Sequence, residues 1–166
     1  MNQFFRASVG AVIINSKGMV LALERTDSPG AWQFPQGGIE DHEEPEAAVI
    51  REVQEETGID PDSLQFIRRH PDLLSYELPP KWRGPKVGRG QTQRWFLFRF
   101  LPDHGRISLP NPGEFRQWRW VSFHELLPQV ATFRRELYLA LAREFSEIID
   151  GLAHQGHGGQ RKATNS

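Results

Sequence analysis

Hydrophobic positions along this chain follow two different periods. Ser8 to Ile14 (Ser-Val-Gly-Ala-Val-Ile-Ile) is a short, nearly continuous apolar run, which predicts a buried strand, and Asn15-Ser16-Lys17-Gly18 ends it in a turn. Met19 to Leu23 is its expected hairpin partner, and a loop through Asp27-Ser28-Pro29-Gly30 leads to the short segment Trp32-Gln33-Phe34. Further strands are predicted at Leu64–Arg69, Leu74–Leu78 and Gln117–Val121. Gln93 to Leu101 carries Trp95-Phe96-Leu97-Phe98, apolar on both alternating faces, so this strand should lie centrally with layers on either side. The helical period appears twice. Glu44-Pro45-Glu46 opens a helix with proline and acids in its first turn, and Gly58 stands where a left-handed cap closes it. Ser122 is a helix-cap candidate, and a last helix from Thr132 to Ile149 sets Phe133, Leu137, Leu141, Phe145 and Ile148 on one face. Residues 79–90, with three prolines and three glycines, predict a long basic loop without regular structure. The pattern gives an α/β fold, a mixed sheet between helices, in one domain over residues 1–150. Beyond Gly151 the polar, Gly-rich tail of residues 151–166 is expected to be disordered.

The first helix carries chemistry as well as packing. At about 100° per residue, Glu52, Glu55 and Glu56 share an arc, while Val49, Ile50, Val53 and Thr57 share the neighbouring one that faces a core. Ala48 falls inside the glutamate arc, where its small side chain leaves room for an approaching group. Like charges four residues apart repel, so Glu52 and Glu56 call for a positive partner. A hard divalent cation supplies one, and Mg²⁺ characteristically shares a few carboxylates with substrate phosphates.

Charge and composition sharpen this picture. The net charge is −1, but residues 40–62 hold ten acids and one base, Arg51, leaving nineteen bases against eleven acids elsewhere. An acidic pocket in a basic surface suits a polyphosphate substrate. The absence of cysteine excludes disulfides, thiolate catalysis and Cys-ligated zinc. No serine–histidine–acid arrangement is legible, and no apolar run approaches transmembrane length. The expectation is a soluble cytoplasmic protein with no membrane association and no stable protein partner.

Gly37, Glu43, Arg51-Glu52, Val53, Glu55-Glu56, Gly58 and Ile59 stand at the nine fixed positions of the 23-residue Nudix box. The chain therefore resembles the Nudix hydrolases, which attack a phosphorus of a nucleoside diphosphate derivative with water. The resemblance implies an α/β/α sandwich and Mg²⁺ or Mn²⁺ held by Glu52, Glu55 and Glu56. It makes Arg51 and Glu43 a buried pair bracing loop against helix, and Gly37 and Gly58 the shapers of the two ends. It adds Glu114 as a further metal ligand or an aid to the base, and counts Gly37 among the metal-site positions. One box glutamate, Glu52 or Glu56, would orient or deprotonate the water.

The likeness extends through Trp32–Ile39, Tyr76-Glu77-Leu78-Pro79, Gly90–Leu97 and Trp118–Val121 to the subgroup of RNA 5′-pyrophosphohydrolases and plant-type dinucleoside tetraphosphate hydrolases. It departs at Arg25-Thr26, where the bacterial RNA enzymes usually carry paired arginines. By this resemblance Arg25 and Phe133 would clamp the first base, a contact worth about 1–3 kcal/mol. Arg6 would join the clamp or meet a phosphate, and Tyr76 and Gln93 would face nucleotide and phosphates. Lys81, Arg83, Lys86 and Arg89 would hold distal phosphates or RNA backbone. The expected reaction converts 5′-triphosphorylated RNA to the monophosphate. The alternatives are hydrolysis of diadenosine tetraphosphate and a Nudix module that binds nucleotides without turnover; the intact box acids favour an enzyme.

Overall fold

A computed structural model of the chain describes residues 4–102 and 105–158. Eight strands form one mixed sheet: β1 (Phe5–Ile14), β2 (Val20–Arg25), β3 (Trp32–Gln33), β4 (Gln36–Gly38), β5 (Leu64–Arg69), β6 (Leu74–Glu77), β7 (Gly90–Phe100) and β8 (Phe115–Val121). The spine runs β3-β2-β1-β7-β5, with β4 on β1, β6 on β7 and β8 on β2. Its centre is the parallel pair β1–β7, registered from Phe5↔Gly90 to Ile14↔Arg99. The other pairings are antiparallel.

Alternation along the central strands builds two cores. Val12 and Ile14 of β1 and Trp95 and Leu97 of β7 point to the side covered by α3 (Arg135–Gly158), which contributes Leu137, Tyr138, Leu141, Phe145 and Ile149. The short α2 (Phe123–Leu126), capped by Ser122 accepting from the Glu125 amide, closes the same side. Val9, Ala11 and Ile13, with Phe96 and Phe98, point to the other side, where α1 (Pro45–Thr57) packs Ala48, Val49 and Val53. The doubly apolar β7 is thus covered on both faces, as its pattern implies, and the layers form the α/β/α sandwich that the family resemblance implies. Ala48 belongs to that core, fully buried, and so does not leave an approach to the glutamates.

Three differences from the sequence pattern have physical causes. β1 and β7 begin earlier than their apolar runs because Phe5–Ala7, though exposed, keep the backbone ladder with Gly90–Thr92. The 79–90 loop holds a 3₁₀ turn at Pro80–Trp82 and a bridge between Gly84 and Gly88. The last helix continues past Ile149 to Gly158, because Ile148 and Leu152 keep packing on the core across Gly151. Residues 159–166, the rest of the expected tail, lie outside the described residues.

Candidate active site

The Nudix-like box is assembled where α1 meets β4. Gly58 caps α1 in the left-handed region, with φ of 72°, and its amide reaches the Gln54 carbonyl. At the other end β4 lies against β1, with Gly37 opposite Val9. A Cβ on Gly37 would sit 2.0 Å from the Glu52 Cδ, so only glycine leaves that carboxylate its place. Arg51 ties the two ends together. Its Nε and Nη2 donate to Glu43 at 2.8 Å each, Nη2 also donates to the Gly38 carbonyl at 2.9 Å, and Nη1 donates to Glu52 at 2.8 Å. The bracing pair is half-buried rather than buried, with side chains 23% and 16% exposed. Arg51 holds the Glu43 carboxyl down at about 2, and Glu43 in turn raises the Arg51 guanidinium.

The remaining acids show the opposite perturbation. Glu56, 4% exposed, is pushed well above the usual carboxylate range, first by burial and then by Glu114 and Glu52. Its Oε2 accepts from the Gln36 amide of β4 at 3.1 Å. Burial also raises Glu52, against the pull of Arg51, and Glu114, against Arg25. Glu55 is the outlying member, its side chain 57% exposed and 3.4 Å from Arg51. Among the described residues no group of three His, Cys, Asp or Glu side chains is placed to hold a metal ion by itself. The donor set still fits a hard cation. Desolvated, mutually repelling carboxylates gain from a positive charge, and Mg²⁺ completes its shell with water and phosphate oxygens.

The other predicted site residues divide into two groups. Arg25 lies at the rim of the acids, its guanidinium chelating Asp27 at 2.7 and 2.8 Å and donating to Gln33 Oε1 at 3.2 Å. A register shift between Glu24 and Arg25, where β2 meets β8, re-aims it. Arg25 and Phe133 line one cavity of about 290 Å³, together with Asp27, Trp82, Gln91 and Arg134. Arg6 is exposed on β1, and a Cβ on Gly38 would lie 2.2 Å from its Nη2, so it reaches the box entrance.

The second group serves the frame. Gln93 is fully buried, donating to Gln36 and Gln91 at 2.8 and 3.0 Å and accepting from Trp95 Nε1 at 3.1 Å. With its amide engaged this way, Gln93 positions its neighbours and offers no face to a ligand. Tyr76 is buried and packs against Phe133 at 5.6 Å. Arg83 and Arg89 pair with Glu77, and Arg83 also donates to the Leu78 carbonyl, so both hold the loop. Lys81 lies 5.4 Å from the Trp82 ring and Lys86 is exposed.

Sequence reasoning passed over Arg134, Gln91 and Trp82. Arg134 is buried, its Nη1 shares Gln33 Oε1 with Arg25 at 3.1 Å, and its guanidinium stands 4.7 Å over the Phe133 ring. Its Nε has no hydrogen-bond partner among the described residues. The only signal was its position beside Phe133. Trp82, 45% exposed, meets Phe133 edge-on at 5.4 Å, and an exposed tryptophan in a basic loop was a legible sign.

A family profile described as NUDIX domain matches residues 4–141. An RNA pyrophosphohydrolase of Cereibacter sphaeroides is 40% identical over 146 residues, covering 85% of this chain and 90% of that protein. Nudix hydrolase 25 of Arabidopsis thaliana is 37% identical over 158 residues, covering 88% and 89%. Among solved structures, a C. elegans Ap4A hydrolase binary complex superposes with a TM-score of 0.67 at 22% identity, covering 88% of this chain and 98% of that one.

Proposed function

This chain belongs to the Nudix hydrolases, and from that premise we propose that it removes phosphates from the 5′-triphosphate end of RNA, leaving a 5′-monophosphate. One observation carries the reading beyond the family. Arg25 is shared between two sites: it lines the aromatic cavity and is one of the charges that pull against the upward shift of the Glu56 and Glu114 carboxyls. A ligand with its base against Phe133 and Trp82 therefore has its phosphates directed past Arg25 toward the carboxylates. The names of the relatives near 40% identity support RNA as the substrate. The Ap4A hydrolase, at 22%, bears on fold alone.

Glu52, Glu56 and Glu114 would hold Mg²⁺ or Mn²⁺, with Glu55 at the outer edge and the Gly37 backbone at the inner one. The cation supplies Lewis acidity to the phosphoryl oxygens and offsets charge on the departing phosphate. The protein's own groups do the rest. Arg51 fixes Glu52 through Nη1, and the Gln36 amide fixes Glu56 through Oε2, leaving Oε1 of Glu56 to orient the attacking water and take its proton. Arg25 and Arg134 present guanidinium groups to the phosphate chain, with Asp27 the one carboxylate among the described residues lining that cavity. Incubating a 5′-triphosphorylated oligoribonucleotide with the enzyme and Mg²⁺ tests the proposal. The expected outcome is a 5′-monophosphorylated product with pyrophosphate or phosphate, and an unchanged triphosphate end would overturn the proposal.

A further inference from the structure

Glu24 is a buried carboxylate, 5% exposed, that the chemistry above does not use. It stands beside Arg25 at the end of β2. Its Oε1 accepts from Arg116 Nε at 2.7 Å, and its Oε2 accepts from the Gly30 amide at 2.9 Å. These two donors hold the Glu24 carboxyl below the usual carboxylate range, so it is ionised at neutral pH.

Arg116 owes its place to the irregularity between β2 and β8. Glu24 pairs with Gln117 and Arg25 with Phe115, so Arg116 is the extra residue of a bulge. Continued without that residue, the ladder would set Glu114 opposite Asp27, one acid against another. With it, Glu114 stands opposite Thr26, whose amide donates to the Glu114 carbonyl at 3.0 Å. The exposed Arg116 side chain folds back on Glu24 and makes no other hydrogen bond or ion pair among the described residues. The Gly30 amide ties in the third piece, the loop that carries Asp27 to the Arg25 guanidinium. One carboxylate therefore fastens the end of β2, the bulge of β8 and the loop between β2 and β3.

We propose that Glu24 and Arg116 are a positioning pair: they lock the bulge and thereby aim Arg25 at the substrate's phosphates beside Glu114. The inference rests on the reading above that Arg25 meets the phosphate chain. Neither member of the pair lines the cavity, so both act through Arg25 and touch no ligand. Asp27 cannot supply the aim by itself, because it is exposed on the loop that Glu24 tethers.

The test is equilibrium binding of ATP without metal, which needs no turnover. It compares wild type, Glu24→Gln/Arg116→Met, Arg25→Ala and the triple variant. Removing both charges together leaves no buried carboxylate unpaired, and glutamine still accepts from the Gly30 amide. The double variant should bind ATP about tenfold more weakly than wild type. Once Arg25 is alanine, the same two changes should cost less than about twofold, because a pair that acts through Arg25 has nothing left to aim. Arg116→Lys, which keeps a cation where the arginine uses a single Nε contact, should stay within about threefold of wild type. A general loosening of the fold would weaken binding equally with and without Arg25. That equal loss, or undiminished affinity in the double variant, overturns the inference. If Arg25→Ala binds ATP like wild type, the assignment of Arg25 to the phosphates falls and the inference with it. The predicted cycle in an enzyme that leaves triphosphorylated RNA intact upholds the pair and overturns the RNA-hydrolase reading instead.

Discussion

Replacing Glu56 by glutamine should make the metal-free protein more stable and the enzyme nearly inactive. Glu56 is buried, with Glu114 and Glu52 as its main like-charged neighbours. Its folded form therefore favours the proton. As pH rises above about 4.3 the unfolded chain's glutamate ionises first, so the stability that Glu56 contributes is lost progressively until the raised folded value is passed. Glutamine carries no such loss and still offers an oxygen to the Gln36 amide. The metal-free variant should thus melt higher than wild type, by a margin that grows between about pH 5 and pH 8. Mg²⁺ at about 100 times its Kd adds about 2.7 kcal/mol to a protein that binds it only when folded. At about 2–4 °C per kcal/mol for a domain of this size, the wild-type Tm should rise by about 5–11 °C. The variant should lose most of that gain, and turnover should fall about 10²–10⁴-fold with the proton acceptor gone. Thermal melts in chelator and in Mg²⁺ at both pH values measure each part. A metal-free variant less stable than wild type at the higher pH, with its Mg²⁺ gain intact, would show that Glu56 neither favours its proton in the fold nor holds the cation.

Arg51→Ala should cost about 1–3 kcal/mol, read by denaturant titration, for acceptors such as the Gly38 carbonyl that lose their donor. With Glu43 held at about 2, the wild-type pair is fully stabilising above about pH 4.5 and weakens as pH falls through about 2; the variant should lack that acid-side decline. Phe133→Ala should weaken RNA substrates by about 1–3 kcal/mol in kcat/KM while leaving the Mg²⁺-induced Tm gain in place; a lower Tm with unchanged kcat/KM would make the ring a packing group alone. Gln93→Leu should cost about 1–3 kcal/mol per buried group left unpaired, seen in melting, because Gln36 Oε1 and Trp95 Nε1 lose their partner while Gln91 keeps the Ser8 hydroxyl. Full stability in that variant would remove the amide chain from the frame.

A mixed sheet between helices was legible because alternation is a local property, while the α/β/α sandwich came with the family resemblance. Val9, Ala11 and Ile13 against Val12 and Ile14, and Trp95 and Leu97 against Phe96 and Phe98, already assign β1 and β7 to a two-sided core. The box glutamates were legible for the same reason, since one helix fixes their spacing. β4 was not, because Gln36-Gly37-Gly38 has no strand propensity and is held by its ladder to β1. The substrate side depends on contacts far apart in sequence, such as Gln33 with Arg134 and Gln36 with Gln93. Nothing in the spacing says that Gln93 is sealed inside while Gln91, two residues earlier on the same strand, lines the cavity. The resemblance named Arg25 and Phe133, but Arg134 emerged only when the helix start was packed against Gln33.

In the proposed function Arg25 joins a nucleobase cavity to a carboxylate site for the 5′-triphosphate of RNA. A side-by-side measurement of kcat/KM with Mg²⁺ on triphosphorylated RNA, diadenosine tetraphosphate and a nucleotide sugar tests it most directly. The highest value should fall on triphosphorylated RNA, with a selective loss on that substrate in Arg25→Ala. A higher value on diadenosine tetraphosphate or the nucleotide sugar, with Arg25→Ala affecting all three alike, would contradict it.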